Sequence, residues 1–346
     1  MARSTAVGLD IGTSCVRAAE LSFGSGRVTL ARAGEVALPP GAVRAGEVAA
    51  PEAVTAALRE LWSQHRFSSK KVMLGLANSR VVVRQVDLPW MPVAELRASL
   101  ALHVQDFVPM PVASALLDFH PLEEIDTGTA RLWRGLLVAA SRETVEAQLD
   151  AVRAAGLTPV GVDLAPFASL RSLGWEEPAL DAVAPVQAIV DIGAGVTSMV
   201  VHQAGAPKFV RILLIGGNHV SEALAGLLGV PFDAAEQLKQ DLRNFDGDER
   251  ALQVASSSMG MFVDEIRGSL DYYRSAHAAA PVTQIVLTGG GSRLGGLAVA
   301  LGAATRVPVV LGDPTVGIAL GKAVRTESFD PRSAAVPVGL ALGAAS

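Results

Sequence analysis

The sequence has a single cysteine, Cys15, among its 346 residues. One cysteine excludes an internal disulfide framework and suits a reducing compartment. A catalytic thiolate would need a base beside it, and none of the six histidines lies in a recognisable local pattern with Cys15. We therefore expect Cys15 to be a buried packing residue. The lack of a Cys/His cluster with ligand spacing also excludes a zinc site.

Aromatic residues make up only 5% of the chain, and the net charge is −5. Nucleic-acid-binding proteins concentrate Lys and Arg beside aromatic stacking groups, so we expect no nucleic-acid partner. No apolar run approaches the ~20 residues that crossing a bilayer requires, and the amino terminus lacks the pattern of a secretory signal. We expect a cytoplasmic protein that reaches a membrane only through a partner, without direct insertion.

The chain is longer than the roughly 150 residues expected of one domain, and one pattern of three strands occurs twice in it. Three apolar strands separated by glycine turns open the chain, at residues 5–10, 15–23 and 27–36. Three similar strands follow later, at residues 188–191, 198–203 and 208–215. Each copy places an aspartate, Asp10 or Asp191, at the end of a strand and two residues before a glycine. We interpret this repeat as an internal duplication into two lobes.

A compact unit of strands and helices lies between the two copies. Its predicted elements are strands at residues 81–88, 115–122 and 131–140, and helices at residues 93–107 and 143–155. The turn at residues 126–129 indicates a hairpin within it. We expect an α/β fold with a small α+β subdomain inserted into the first lobe. The predicted boundaries are residues 1–78 and 157–184 for the first lobe, with 325–346 returning to it, 79–156 for the insertion and 185–324 for the second lobe.

The two aspartate turns are candidates for phosphate and metal binding. An aspartate at the end of a buried strand is costly unless it is paired or near a metal, and the following turn exposes N–H groups that can hold phosphate oxygens. For one copy alone, an ordinary hairpin turn explains the pattern equally well. Two copies could grip a phosphate tail while Asp10 and Asp191 hold a hydrated Mg²⁺. The candidate phosphate-binding residues are Gly12, Thr13 and Ser14 in the first copy, and Gly193, Ala194, Gly195 and Thr197 in the second.

A third glycine site follows the apolar strand at residues 285–288. It consists of Gly289, Gly290, Gly291 and Ser292, and we expect a helix to begin near Ser292. Glycines allow close approach by a flat ring or a ribose, and a helix amino terminus adds unpaired donors. The alternative is a strand-to-helix turn that needs positive φ. Three consecutive glycines exceed that need, so we favour a ligand site.

This order of sites resembles that of the actin, sugar-kinase and chaperone ATPase superfamily. Residues 235–239 are similar to the helix by which bacterial actin relatives contact the adenosine sugar and base. The resemblance implies that Glu236 and Lys239 contact a bound adenosine, although such pairs are commonly solvated on a helix. It also assigns Asp163 to the region that orients the attacking water, whereas the local alternative is helix capping. We therefore expect ATP binding with at most slow hydrolysis.

The chain is similar to the PilM family of type IV pilus assembly proteins over nearly its entire length. The similar stretches are residues 8–20, 81–92, 95–97, 109–111, 137–143, 155–163, 265–273 and 337–343. The resemblance implies an actin-like ATPase fold with an SHS2-like insertion, and ATP and Mg²⁺ as ligands. It implies a role at the inner-membrane platform, next to other pilus proteins, where the cytoplasmic amino-terminal peptide of a PilN-like protein docks between the first lobe and the insertion. Arg17 stands where many relatives carry lysine, which changes the donor geometry of the implied phosphate contact.

Two other functions share the same nucleotide clamp. A sugar-type small-molecule kinase would need a base oriented on the acceptor and sizeable substrate-binding insertions, and neither is evident. An FtsA-like division protein would usually end in a basic amphipathic membrane-targeting helix, whereas residues 340–346 carry no positive charge.

Overall fold

The computed structural model describes residues 4–24, 26–174, 184–241, 249–324 and 330–345. The parts of the predicted lobes that fall on residues 1–3, 25, 175–183, 242–248, 325–329 and 346 lie outside these ranges. None of the helices in the described ranges combines the length and the apolar character needed to cross a membrane.

The first lobe is built on a six-stranded sheet with the order β10-β6-β1-β2-β3-β16. Its strands are β1 (Ser4–Ile11), β2 (Cys15–Gly24), β3 (Arg27–Ala37), β6 (Lys71–Leu76), β10 (Thr158–Leu164) and β16 (Ala319–Leu320). The predicted opening meander is confirmed, because β1 pairs antiparallel with β2 and β2 with β3. A small hairpin of β4 (Val43–Arg44) and β5 (Glu47–Val48) precedes α1 (Pro51–His65).

Helix α1 covers one face of this sheet, as its sequence predicts. Pro51 starts the helix, where its missing N–H costs no hydrogen bond. Val54, Leu58 and Leu61 recur at helical spacing and are fully buried against the sheet. The helix ends where Arg66 adopts a left-handed conformation.

The second lobe repeats the arrangement of the first. Its sheet has the order β13-β12-β11-β14-β15, formed by β11 (Val186–Ile192), β12 (Thr197–Gln203), β13 (Ala206–Leu213), β14 (Gln284–Thr288) and β15 (Val309–Leu311). β11 pairs antiparallel with β12 and parallel with β14, just as β1 pairs with β2 and β6. The helices of this lobe are α5 (Asn218–Leu228), α6 (Phe232–Asp241), α7 (Glu249–Ala276) and α8 (Leu297–Thr305). The duplication read from the sequence is therefore present in the strand order.

The residues between the lobes include a separate three-stranded sheet with the order β7-β9-β8. Its elements are β7 (Val81–Pro89), α2 (Val93–His103), β8 (Ala115–Asp126) and β9 (Arg131–Ser141). The predicted hairpin is confirmed by the pairing of β8 with β9. Helix α2 is shorter than predicted, because Val104 leaves the helical conformation and Pro109 favours extended backbone before it. Phe107 therefore lies in a short 3-10 turn and not on the apolar stripe of α2.

Helix α3 (Arg142–Ala154) packs on the first lobe, although the predicted insertion includes it. Its residues Ala151 and Val152 are buried in the same cluster as Leu58 and Leu61 of α1. Beyond β10, α4 (Ala165–Leu173) packs against α9 (Ala335–Gly343), which also covers β1. The returning segment is thus part of the first lobe over its described residues. The exact boundaries of the lobes and the insertion stay a prediction.

Candidate functional site

The two duplicated hairpin turns face each other across the cleft between the lobes. In the first turn the Gly12 N–H donates to the carbonyl of Cys15 over 3.0 Å, and in the second the Gly193 N–H donates to that of Val196 over 2.9 Å. A Cβ built on Gly195 would lie 2.7 Å from Thr13 Oγ1. Only a residue without a side chain allows the two turns to approach this closely.

Asp10 lies near the end of β1, and Asp191 lies near the end of β11, the equivalent strand of the second lobe. Both line a cavity of about 80 Å³ between the turns. Burial raises the pKa of Asp10, and the nearby Arg17 partly opposes this shift. Burial and the charge of Asp10 together raise the pKa of Asp191 to about 6. The Ser169 hydroxyl donates to Asp191 Oδ2 over 3.2 Å and favours its ionised form. Two partly buried carboxylates therefore repel each other across a small cavity.

This donor set fits Mg²⁺ better than a transition metal. Within the described ranges, no three His, Cys, Asp or Glu side chains converge on one point. Mg²⁺ keeps several waters and needs only one or two carboxylates together with phosphate oxygens. A divalent cation would also relieve the repulsion between Asp10 and Asp191.

A second cavity of about 280 Å³ adjoins the first, and both are lined by Ser14, Arg17, Gly193, Ala194 and Gly290. The far end of this second cavity is mainly apolar. The side chains that line this end come from α5, α6, α7 and the residues around the start of α8. These are Asn218, Val220, Phe232, Phe262, Leu294 and Leu297. The sequence motifs did not identify Phe232 and Phe262 as site residues. The available signal was the scarcity of aromatic residues in this chain, which makes each one a candidate for a special role. The cavity combines a polar end with an apolar end, as an adenosine requires.

The predicted pair on α6 lies at this second cavity. Lys239 Nζ donates to Glu236 Oε2 over 2.6 Å and to the carbonyl of Gly217 over 3.1 Å. Glu236 also accepts a hydrogen bond from Ser221. These contacts orient both side chains beside the cavity, so the pair is not simply solvated. Arg17 lies at the junction of the two cavities. Its Nε donates to Glu35 Oε2 over 2.9 Å, and its Nη1 lies 3.9 Å from Asp10 Oδ2.

The three glycines after β14 lie at the cleft, but the helix does not begin at Ser292 as predicted. A 3-10 turn spans Gly290–Arg293, and α8 begins only at Leu297. The Ser292 N–H donates to the carbonyl of Gly289, so it is not a free donor. The helix amino terminus is displaced because Gly296 takes a left-handed conformation just before α8.

Four predicted site residues line neither cleft cavity in the described structure. Gly195 packs on Thr13, as above. Thr197 is buried and donates to the carbonyl of Ile215, and the Ser292 hydroxyl donates to that of Gly289. Asp163 forms an ion pair with Arg171 and lines a different cavity. Its carboxylate accepts from the adjacent Leu164 N–H and caps no further residue of α4.

That other cavity is an apolar groove of about 870 Å³. Its walls come from β6, β8, β9, α3, β10, α4 and residues 204–207, so it borders the first lobe, the three-stranded sheet and the edge of the second lobe. Apolar side chains that line it include Leu76, Leu116, Val138, Val145, Val162 and Phe167. The Asp163–Arg171 ion pair and the exposed Asp118 and His120 supply its polar groups. We call it the apolar groove below.

Comparison with known proteins agrees with this architecture. The profile of the family described as type IV pilus assembly protein PilM matches residues 8–345. A chain of the PilM-PilN type IV pilus biogenesis complex has 28% identity and a TM-score of 0.83, covering 99% of this chain and 98% of that chain.

More distant structures share the fold alone. Ethanolamine utilization protein EutJ from Carboxydothermus hydrogenoformans has 16% identity and a TM-score of 0.57, covering 99% of this chain and 91% of its own. MreB5 of Spiroplasma citri bound to ADP has 11% identity and a TM-score of 0.55, covering 97% and 94%. The fold is thus the actin-like one. Because the family profile spans both lobes, both hairpin turns and the apolar groove, the chain belongs to the PilM family of type IV pilus assembly proteins.

Proposed function

We propose that this protein binds ATP with Mg²⁺ in the interlobe cleft and docks the cytoplasmic amino-terminal peptide of a PilN-like inner-membrane protein in the apolar groove. Through that partner it would take a peripheral position at the inner membrane and join the pilus assembly platform. The observation that carries the proposal is the pair of facing hairpin turns, whose polar cavity opens directly into a mainly apolar one.

The cleft suits a nucleotide from end to end. Backbone N–H groups of the two turns and Arg17 would hold the phosphates, while Asp10 and Asp191 would hold Mg²⁺ through its waters. Gly290 would lie against the nucleoside, and Phe232 and Phe262 offer apolar surface to the base. The bound Mg²⁺ would neutralise charge on the phosphates. MreB5, which shares the fold, was solved bound to ADP, and this likeness supports a nucleotide ligand.

The apolar groove suits a short peptide. It is mainly apolar and open at the surface, and it borders β8, an edge strand of the three-stranded sheet. Extended peptides commonly bind in such grooves through backbone hydrogen bonds and alternate apolar side chains. The similarity to a chain solved in complex with PilN supports a PilN-like partner.

Hydrolysis would be slow, because the candidate water-positioning residue lies away from the cleft. Asp163 is held by Arg171 at the groove, so we propose no catalytic role for it. Steady ADP release should be weak with or without added sugars. Rapid release that depends on one acceptor would point to a kinase instead.

Calorimetry with ATP and Mg²⁺ tests the nucleotide site. Asp10→Asn and Asp191→Asn should each weaken Mg-dependent ATP binding by about tenfold or more, which is a loss of ~1.4 kcal/mol or more. Asp264→Asn is the matched control, because Asp264 lies exposed on α7 and pairs only with Arg267 among the described residues. Unchanged Mg-ATP affinity in both cleft variants would remove the assigned metal roles.

A fluorescent peptide with the sequence of the PilN-like protein's cytoplasmic amino terminus tests the groove. Val162→Glu places a charge in the groove at a residue that is already 36% exposed, so the fold should survive. We expect binding to weaken by tenfold or more, at a cost of ~1.4 kcal/mol or more. Val299→Glu, on the exposed face of α8, is the control. Equal affinity in both variants would place the peptide elsewhere.

A further inference from the structure

Helix α4 lies between the nucleotide cleft and the apolar groove and contacts both. On one side, Ala165 lines the small cavity and the buried Ser169 hydroxyl donates to Asp191 Oδ2 over 3.2 Å. On the other side, Phe167, Leu170 and Arg171 line the groove. The helix has only nine residues, so the two sites are less than three turns apart along it.

The packing of α4 prevents it from adjusting to one site alone. A Cβ on Gly339 would lie 1.8 Å from the carbonyl oxygen of Ala168, so α4 and α9 are in close backbone contact. Arg171 Nε donates to the carbonyl of Gly339 over 3.0 Å, and the Ser172 hydroxyl donates to that of Ala335 over 2.8 Å. Tightly packed elements shift as units and do not deform locally.

Ser169 makes the direct polar link from this unit to the second lobe. Asp191 ends β11 of the second lobe, whereas Ser169 belongs to the first-lobe helix. Leu170 of α4 also packs in one apolar cluster with Ile189, Val200 and Val286 of that lobe. Apolar contacts are not directional, but a hydrogen bond to a carboxylate depends on the orientation of that carboxylate.

We propose that Ser169 is a positioning residue that couples the nucleotide cleft to the apolar groove. A cation and phosphates that engage Asp191 change how its carboxylate accepts from Ser169, and α4 carries this change to Phe167, Leu170 and Arg171. A ligand shifts such an arrangement only if it binds two arrangements with different affinity, and the effect is reciprocal between the sites. The inference rests on the proposed function, because it assigns regulation to the same two sites.

The test compares two serines of the same helix. The affinity of the PilN-like peptide is measured with and without saturating Mg²⁺ and a non-hydrolysable ATP analogue, in the parent protein, Ser169→Ala and Ser172→Ala. We expect the nucleotide to change peptide affinity by about fivefold or more in the parent. Ser172→Ala, which loses hydrogen bonds to the carbonyls of Ala335 and Ser169 but leaves the bond from the Ser169 hydroxyl to Asp191 in place, should keep that ratio. Ser169→Ala should bring the ratio close to one while still binding each ligand.

A second measurement follows the groove without the peptide. Hydrogen exchange at residues 116–120 and 204–207 should change when Mg²⁺ and the ATP analogue are added to the parent and to Ser172→Ala, but not when they are added to Ser169→Ala. A parent without coupling, a full effect in Ser169→Ala, or equal loss in both serine variants would overturn the inference. Failure of the parent to bind the peptide or the nucleotide would refute the proposed function itself, which the individual titrations show separately.

Discussion

At the residue scale, neighbouring glycines after β14 have different surroundings. Gly289 has a φ of +80°, and a Cβ there would lie 2.3 Å from Asp191 Oδ1. A Cβ on Gly290 would meet only Arg293 Nη2, at 3.8 Å, within the described part of the chain. Gly291 packs on Ile192 as closely as Gly289 packs on Asp191. Only Gly290 therefore has free space on its cleft side, while its two neighbours are required by packing.

This difference predicts opposite phenotypes for two alanine substitutions. Gly289→Ala should lower the free energy of unfolding by roughly 2–4 kcal/mol, because it combines left-handed backbone with overpacking. Gly290→Ala should leave the free energy of unfolding nearly unchanged and weaken ATP binding by about tenfold, or ~1.4 kcal/mol, by filling the cleft. Denaturant titration and calorimetry on both variants check this. Normal ATP affinity in Gly290→Ala would move the nucleoside away from this turn.

His202 is a buried titratable residue outside the cleft. Its side chain is 2% exposed, its Nδ1 accepts from the Gly205 N–H, and its Nε2 has no hydrogen-bond partner among the described residues. Burial lowers the pKa of His202 to about 4 from its usual value near 6.5. The unfolded chain therefore binds more protons than the folded protein between these pH values.

The lowered pKa of His202 predicts that the free energy of unfolding falls in acid. Its contribution to stability is fully present above pH 6.5 and is lost as the pH falls through about 4, because protons then favour the unfolded state. His202→Asn keeps an acceptor for Gly205 but cannot be protonated, so its free energy of unfolding should depend less on pH between 6.5 and 4. Urea titrations at several pH values measure this, with the exposed His120→Asn as control. Equal pH dependence in the parent and His202→Asn would contradict the prediction.

At the element scale, α3 decides where the three-stranded sheet can be separated from the first lobe. Ala151 and Val152 of α3 complete the core around α1, while the Ser141 N–H donates to the carbonyl of Arg80 over 3.2 Å. The chain thus enters and leaves the sheet at nearly the same point. A deletion that joins residue 80 to residue 141 would therefore remove the three-stranded sheet and retain α3.

Two deletions should therefore behave differently. Removal of residues 79–156 takes α3 away and exposes the side of α1 that packs on α3, so we expect loss of cooperative thermal unfolding. Removal of residues 81–140 should leave a folded protein that binds Mg-ATP but not the PilN-like peptide. Circular dichroism melts and calorimetry compare them. If both deletions unfold alike, the insertion and the first lobe form one cooperative unit.

At the scale of the whole molecule, the cleft joins two lobes that share few polar contacts near the site. The Gly289 N–H and the Thr288 hydroxyl both donate to the carbonyl of Arg332, and Arg293 pairs with Asp330. A nucleotide that contacts both hairpin turns would add its binding free energy to this interface. Such a ligand stabilises the protein by mass action, since it binds only the folded state.

Thermal and denaturant stability should therefore depend on the nucleotide. At an ATP concentration one hundred times its Kd, with Mg²⁺ present, the free energy of unfolding should rise by about 2.7 kcal/mol. The same titration in Asp191→Asn should show a smaller rise at the same ATP concentration. Stabilisation that is equal in the two proteins would indicate that ATP binds away from the carboxylates.

Much of the architecture follows from local sequence patterns. The apolar runs of β1 and β11, the glycine turns and the position of each aspartate indicated two duplicated lobes, because these signals depend on neighbours in the chain. The resemblance to bacterial actin relatives nominated Glu236 and Lys239, and local pattern nominated the glycines from 289 to 291; their binding roles stay predictions. The predicted end of α2 and the predicted start of α8 differ from the structure, because the conformation of a single residue, Val104 or Gly296, determines each of them.

Only the tertiary structure decided which candidates meet. Asp163 and Thr197 lie in strands next to the cleft, yet Arg171 and the carbonyl of Ile215 hold their side chains elsewhere. Phe232 and Phe262 complete the cavity from two helices that no short motif connects. Burial and hydrogen bonding depend on residues far apart in the chain, such as Ser169 and Asp191. The sequence by itself therefore determined the duplicated frame and its hairpin turns, whereas long-range packing decided which side chains reach the cleft.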